Sequence, residues 1–245
     1  MTTVAVFADP PRPGLVLPEL IETSPLSAEE AAGLYEAMLI DACLAAERSG
    51  GELLVNYRPA ELLPDDHAGG DPEAEIRDLL EGVLEESPRM EVQVGSTYAA
   101  RVGNTMTHLL ETEEVASAAV LSPAAPLCFR TQIDSAAMKL RNSPVVLGPA
   151  TDGRIAFAGF AEPIDFEGAY DPPAVETLAW RAGDAGLGTD FLPVLPVVET
   201  GEDLATVVSL IRARRIADRM VPANTATWIE ERGLRVEGEE LVADR

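Results

Sequence analysis

Apolar and polar positions along this chain follow two alternating rhythms. Val4 to Ala8 (VAVFA) is a near-continuous apolar run, the mark of a strand buried on both faces. Ser27-Ala-Glu-Glu30 is a capping box, and Ala31, Leu34, Tyr35, Met38, Leu39, Ala42, Cys43 and Ala46 behind it fall on one face. That spacing predicts a long helix, stopped by Gly50 and Gly51. Leu53 to Tyr57 (LLVNY) reads as the next strand, followed by a polar stretch from Pro64 to Pro72 and an amphipathic helix over Glu73 to Glu86. The alternation continues with a strand at Glu91 to Gly95, a helix at Ala99 to Leu110, a strand at Ser117 to Ser122 and a helix at Arg130 to Arg141. Val145 to Ala150 and Arg154 to Phe160 read as two strands separated only by Thr151, Asp152 and Gly153. Asp171-Pro172-Pro173 opens a further helix, with the Asp as N-cap and Pro in the first turn. Asp190 to Glu199 reads as a strand, and Thr200-Gly-Glu-Asp203 caps a helix that runs to Asp218.

This order predicts an α/β fold: a single three-layer domain with a mostly parallel sheet, helices on both faces, and one antiparallel element at the Asp152 turn. Residues 1–221 make up that domain. Residues 222–245 add a peripheral helix and a small hairpin at Leu234 to Val242.

Composition changes the picture in one direction. At 245 residues the chain buries enough surface to need no disulfide or metal staple, and its 47% apolar content excludes a disordered protein. Cys43 and Cys128, isolated in apolar surroundings, read as core residues of a reducing compartment. The start, MTTVAVFADPP, lacks the basic region of a signal peptide, and no run of eighteen apolar residues offers a membrane span, so the expected setting is cytoplasmic. Asp and Glu number 42 against 18 Lys and Arg, a net charge of −24, and Lys139 is the only lysine. Repulsion of that size loosens a compact state in dilute buffer, whereas at about 1 M salt the Debye length is about 3 Å. A salt-rich cytoplasm therefore fits the chain. The rival reading is a surface for a basic partner, but the acids are spread along the chain instead of gathered in one tail. Binding of nucleic acid through phosphates is disfavoured.

In an open α/β sheet the chemistry belongs just after the strands. The first such segment, Ala8-Asp9-Pro10-Pro11-Arg12-Pro13-Gly14, is neither a Walker A loop nor a dinucleotide fingerprint, and no Gly-x-Ser-x-Gly elbow occurs anywhere. Asp9 before a proline is ordinary turn chemistry as well as a placement at the carboxyl edge. Asp152-Gly153 is a common hairpin solution on its own. Arg12, Arg58 and Arg154 all fall near the same edge and would make an anion site, although salt-bridged arginines are the commoner case. His67 and His108 lack metal-ligand spacing, and Trp180 and Trp228 read as packing residues.

The segment Gly148-Pro149-Ala150-Thr151-Asp152-Gly153-Arg154 resembles the Gly-Pro-Ala-x-Asp-Gly-Gly-Tyr turn of a family of bacterial and archaeal proteins with a glycosyltransferase-A-like fold. These are relatives of nucleotidyltransferases such as the molybdenum-cofactor and 2-phospholactate guanylyltransferases. Pro11-Arg12-Pro13-Gly14 is similar to that family's first loop, and Leu195 to Leu204 (LPVVETGEDL) to its closing Asp-Val-Asp-Thr-Pro-Glu-Asp-Leu. The resemblance implies a nucleotide or nucleotide-sugar ligand and Mg²⁺ or Mn²⁺. It makes Asp152 and Glu199 the catalytic and metal-binding carboxylates, with Ala8, Asp9, Arg12, Gly14, Arg58, Gly103, Asn104 and Arg154 toward the nucleotide.

The departures are equally specific. Leu15 to Leu20 carries none of the bases of the family's Lys-Thr-Arg-Leu, and Leu121-Ser122-Pro123-Ala124-Ala125-Pro126-Leu127 lacks the aspartate of Gly-Thr-Asp-Ser-Pro-Asp-Leu. Val197 and Glu199 stand for two aspartates, and Arg154 stands for the second glycine of the turn. Two readings follow: a metal-dependent nucleotidyl- or glycosyltransferase-like protein with divergent or lost catalytic residues, or a non-catalytic binding or structural protein that keeps only the fold.

Overall fold

The computed structural model describes residues 1–238 and 240–243. Its order is β1 (Thr2–Ala8), α1 (Pro18–Thr23), α2 (Ala28–Glu47), β2 (Glu52–Tyr57), α3 (Pro72–Leu80), β3 (Arg89–Val92), α4 (Tyr98–Thr107) and β4 (Ser117–Leu121). Then come α5 (Arg130–Lys139), β5 (Val145–Pro149), β6 (Ile155–Phe160), α6 (Ala174–Asp184), β7 (Thr189–Phe191), α7 (Gly201–Ile216), α8 (Ala223–Glu231), β8 (Arg235–Glu237) and β9 (Glu240–Val242). The first seven strands form one sheet in the order β3-β2-β1-β4-β6-β5-β7, and β8 pairs antiparallel with β9. Every neighbour pair in the large sheet is parallel except the two made by β6, which runs antiparallel to β4 and β5. The expectation of a mostly parallel sheet with one antiparallel element at the Asp152 turn holds.

Strand alternation divides the core in two. On one face Val4, Val6, Val55, Ala119, Leu121 and Val146 meet Leu34 and Met38 of α2, Ile133 of α5, and Leu204 and Val208 of α7. On the other, Ala5, Phe7, Leu54, Val120, Leu147 and Phe160 meet Val102 and Met106 of α4 and Leu178 of α6. The C-terminal α8 lies against α2, where Asp41 accepts from the amide (2.8 Å) and hydroxyl (2.7 Å) of Thr225 and so satisfies amides at the start of α8. Both capping boxes form as spaced in the sequence. Ser27 Oγ accepts from Glu30 N at 3.2 Å, and Thr200 Oγ1 accepts from Asp203 N at 3.2 Å. No described helix is long and apolar enough to cross a membrane.

Four departures from the sequence reading have local causes. The helix expected over Glu73 to Glu86 stops at Leu80, because Glu81 is extended and Gly82 takes φ 71°. Asp171 does not cap α6: Pro173 holds the N-cap position, and Asp171 instead offers its carbonyl to Thr177 Oγ1 at 3.3 Å. Helix α1, whose first residue is Pro18, was not expected at all. Finally, the strand expected over Asp190 to Glu199 pairs only at Thr189–Phe191, since Pro193 and Pro196 cannot donate to a ladder. The rest stays extended and crosses the carboxyl ends of the strands. Its amides bond singly: Leu192 to Leu147 O, Leu195 to Pro149 O, and Val198 to Ala124 O, each at 2.8 Å. That path delivers Glu199 to the edge where β1 and β4 end.

Candidate functional site

At the end of β1 the Ala8 carbonyl accepts from Arg58 N at 3.0 Å, which draws the exits of β1 and β2 together. Asp9 and Arg58 consequently meet: Nη2 donates to Oδ2 at 2.9 Å, and Nε stands 2.8 Å from Oδ1, out of line for a hydrogen bond. Asp9 N donates to the Tyr35 hydroxyl at 3.0 Å. Burial pushes the Asp9 carboxyl above the ordinary range, against the opposing pull of Arg58 and Arg101. Burial, and next the charge of Arg58, push the Arg101 guanidinium down. It lies 5.8 Å from the centre of the Tyr98 ring, and its Nε is buried without a hydrogen-bond partner among the described residues. Two guanidiniums therefore face one carboxylate at this end of the edge.

The opposite wall is the turn between β5 and β6. Ala150 N donates to Arg154 O (2.8 Å) and Arg154 N to Thr151 O (3.1 Å), which places Asp152 at φ 56° and Gly153 at φ 72°. Asp152 pays the usual cost of a left-handed residue, one that aspartate tolerates better than most. The same turn aims the Arg154 side chain at three carboxylates. Nη1 donates to Glu199 Oε2 (3.0 Å) and Asp203 Oδ2 (2.9 Å), while Nη2 donates to Asp203 Oδ1 (2.6 Å) and Thr151 Oγ1 (2.7 Å). Nη2 also stands 3.4 Å from Asp152 Oδ2, and Nε donates to Thr151 O at 3.1 Å. Asp203 further accepts from Glu199 N, Thr200 N and the Thr200 hydroxyl. Burial raises the Asp203 carboxyl, but those bonds and the Arg154 charge outweigh it and hold the group below its usual range.

Between these walls lies a cavity of about 450 Å³, lined by Phe7, Asp9, Tyr35, Tyr98, Ser122, Pro123, Ala124, Asp152, Arg154, Ile155, Tyr170, Pro172 and Glu199, among others. Tyr98 packs edge-on to both Phe7 (5.8 Å between centroids) and Tyr170 (5.0 Å). The Tyr170 hydroxyl is buried without a partner among the described residues. Burial raises the Tyr35, Tyr98 and Tyr170 hydroxyls, so near neutral pH these serve as hydrogen-bonding groups and not as bases. Asp9 is the carboxylate whose environment favours taking up a proton.

Of the residues singled out in the sequence, Asp9, Asp152, Arg154 and Glu199 line this one cavity, and Arg58 stands behind Asp9. Ala8 is buried beneath it. Arg12 is turned elsewhere: it donates to Glu75 (3.0 and 2.6 Å) and to the His67 carbonyl, fastening the 64–75 segment over the first loop. Gly14, at φ 80°, faces the His67 ring. Gly103 serves packing, because a Cβ there would lie 2.7 Å from Phe166 Cβ. Asn104 donates to Val94 O at 2.7 Å and lines a neighbouring groove that shares Tyr98 and Tyr170 with the cavity. The sequence reading passed over Tyr35, Tyr98 and Tyr170. One signal was available: the chain holds only four tyrosines, and three of them gather here.

A divalent ion needs oxygen ligands converging on one point. The carboxylates of Asp152 and Glu199 do not fit one as they stand, because Arg154 is bonded between them and to Asp203. Among the described residues, the trio whose ligand atoms all lie within 4.8 Å of one another is Glu91, His108 and Glu113. None of these lines the cavity, and Arg89 is paired with both glutamates.

No family model and no curated protein matches the chain. Solved structures do. A proposed nucleotide-diphospho-sugar transferase from Desulfovibrio desulfuricans G20 superposes with a TM-score of 0.76 at 20% identity, over 95% of each chain. A cytidylyltransferase from Leptospira borgpetersenii gives 0.52 at 10% identity, over 94% of each chain. A nucleotidyl transferase from Methanothermobacter thermautotroptrophicus gives 0.51 at 14% identity, over 89% of this chain and 99% of that one. At such identities the likeness is one of fold. The mostly parallel, seven-stranded sheet with helices on both sides is the α/β fold of the nucleotide-diphospho-sugar transferases, of glycosyltransferase-A type.

Proposed function

We propose that the cavity at the ends of β1 and β4 binds a nucleotide or nucleotide sugar, and that the protein is a nucleotidyl- or glycosyltransferase-like member of its fold with a divergent catalytic set. The observation that carries this reading is the composition of one cavity. It combines an aromatic wall of Phe7, Tyr98 and Tyr170 with Asp9 at one end, backed by Arg58 and Arg101 outside the lining, and the Arg154 cluster at the other. It lies outside the carboxyl ends of the strands, where open α/β sheets hold ligands. A base against an exposed aromatic face contributes about 1–3 kcal/mol. The second guanidinium beside Asp9 leaves positive charge for an anionic group, in a chain that is otherwise strongly acidic.

A binding protein without catalysis is the second reading. It is favoured by Ser122, Pro123 and Ala124, which line the cavity where the resemblance would place a carboxylate. Thermal unfolding in molar KCl against nucleoside triphosphates and nucleotide sugars, each with and without Mn²⁺, tests both. Ligand at about 100 times its Kd adds about 2.7 kcal/mol, a rise in Tm of about 5–10 °C. A flat panel overturns the proposal. A shift without release of pyrophosphate or nucleoside diphosphate in the presence of acceptors favours the binding reading.

A further inference from the structure

We infer that Arg154 is a built-in cation that takes the place of a divalent ion between Asp152, Glu199 and Asp203, so that the cavity receives its ligand without metal. The inference rests on reading the cavity as the ligand site. All five N–H donors of the guanidinium are engaged: one on Thr151 O, two on Glu199 and Asp203, and two on Asp203 and Thr151 Oγ1. A guanidinium stays charged at any pH the fold survives, so this cation is not removed by titration. Asp203 and Glu199 both favour its charged form, Asp203 the more strongly.

The carboxylates are also held apart. Asp152, Glu199 and Asp203 do not bring one oxygen each within 4.8 Å of the other two, the closeness that Glu91, His108 and Glu113 do reach. Bringing them onto one ion requires expelling Arg154 from Asp203, whose Oδ2 is also tied to two amides and a hydroxyl at the start of α7. Expulsion would strand a guanidinium that is only 21% exposed. Asp152 and Glu199, at 86% and 49% exposure, are the solvent-facing members of the cluster. They remain the side chains able to exchange Arg154 for a ligand group.

Mn²⁺ binding in molar KCl, followed by electron paramagnetic resonance without nucleotide, tests this. Wild type and Asp152→Asn/Glu199→Gln should titrate alike, showing no Mn²⁺ held by that pair. Arg154→Ala, checked for its fold by circular dichroism, should gain one Mn²⁺ bound about tenfold or more tighter than any in wild type. Adding Asp152→Asn and Glu199→Gln to Arg154→Ala should remove it. One Mn²⁺ in wild type that disappears in Asp152→Asn/Glu199→Gln overturns the inference, as does a folded Arg154→Ala that gains none. The wild-type comparison alters only exposed side chains and decides the matter even where Arg154→Ala does not fold. A flat nucleotide panel leaves the Mn²⁺ result standing, and a wild-type Mn²⁺ site leaves nucleotide binding standing.

Discussion

Asp203 shows what one side chain can hold together. It caps α7, fixes the Glu199 and Thr200 amides, and anchors Arg154, so the cavity wall and the helix start depend on the same carboxylate. Replacing it with Ala removes a cap and two charge-assisted hydrogen bonds and should cost about 2–3 kcal/mol in chemical denaturation. The sign of the pH dependence follows from the lowered carboxyl. Stability from Asp203 is present in full above the unfolded-state pKa of about 3.9 and is lost as pH falls through the lower folded value. The gap between wild type and Asp203→Ala should therefore stay constant at neutral pH and close in strong acid; a gap unchanged down to pH 2 would refute the assignment. At this scale the sequence was partly legible. That Asp9, Asp152, Arg154 and Glu199 come to one edge was readable because each follows a strand or sits in a tight turn. Arg12 and Gly103 lie outside that cavity, since an arginine's partner and the neighbour of a missing Cβ are settled by distant chain: Glu75 in one case, Phe166 in the other.

Elements were legible where a local rule governs them and illegible where packing does. The capping boxes at Ser27 and Thr200 announce α2 and α7, and the alternation of apolar runs yields six of the seven sheet strands close to where they stand. The route from β7 to α7 was misread as strand because VLPVV is apolar, although Pro193 and Pro196 already forbid a continuous ladder. A five-residue π turn, His108–Thr112, extends α4 without any mark in the sequence. The packing of α7 makes a prediction that no propensity scale would. Gly201 is its first residue, its amide donates to Thr23 Oγ1 at 2.9 Å, and a Cβ there would run into the Thr23 carbonyl and crowd Ser24. Ala is ordinarily the better helix residue, yet Gly201→Ala should destabilise by about 2–3 kcal/mol because backbone must move to admit the methyl group. A midpoint equal to wild type in urea would show that α1 and α7 are not packed this closely.

For the whole molecule the governing quantity is charge. With 42 acids against 18 bases, 24 negative charges lack a cation however the side chains are arranged, and the one lysine is already committed to Asp190 at 2.7 Å. The core is that of an ordinary globular protein, so the repulsion acts on a fold with no special reserve. Asp65, Asp66, Glu81 and Glu86 are exposed and typify the surface. Screening sets the outcome: the Debye length grows from about 3 Å at 1 M salt to about 10 Å at 0.1 M and about 30 Å at 0.01 M, so each dilution couples more acids to one another. Thermal unfolding followed by circular dichroism should show Tm falling by about 10–20 °C from molar to millimolar KCl, the effect of losing about 5 kcal/mol in a chain of this length. Sucrose should not replace the salt, because it leaves the charges unscreened. Changing Asp65, Asp66, Glu81 and Glu86 to their amides should move the whole curve to lower KCl without altering Tm at high salt. A Tm that holds in dilute buffer would mean the acids are accommodated by local pairing, and the salt-rich setting read from the composition would fall with it.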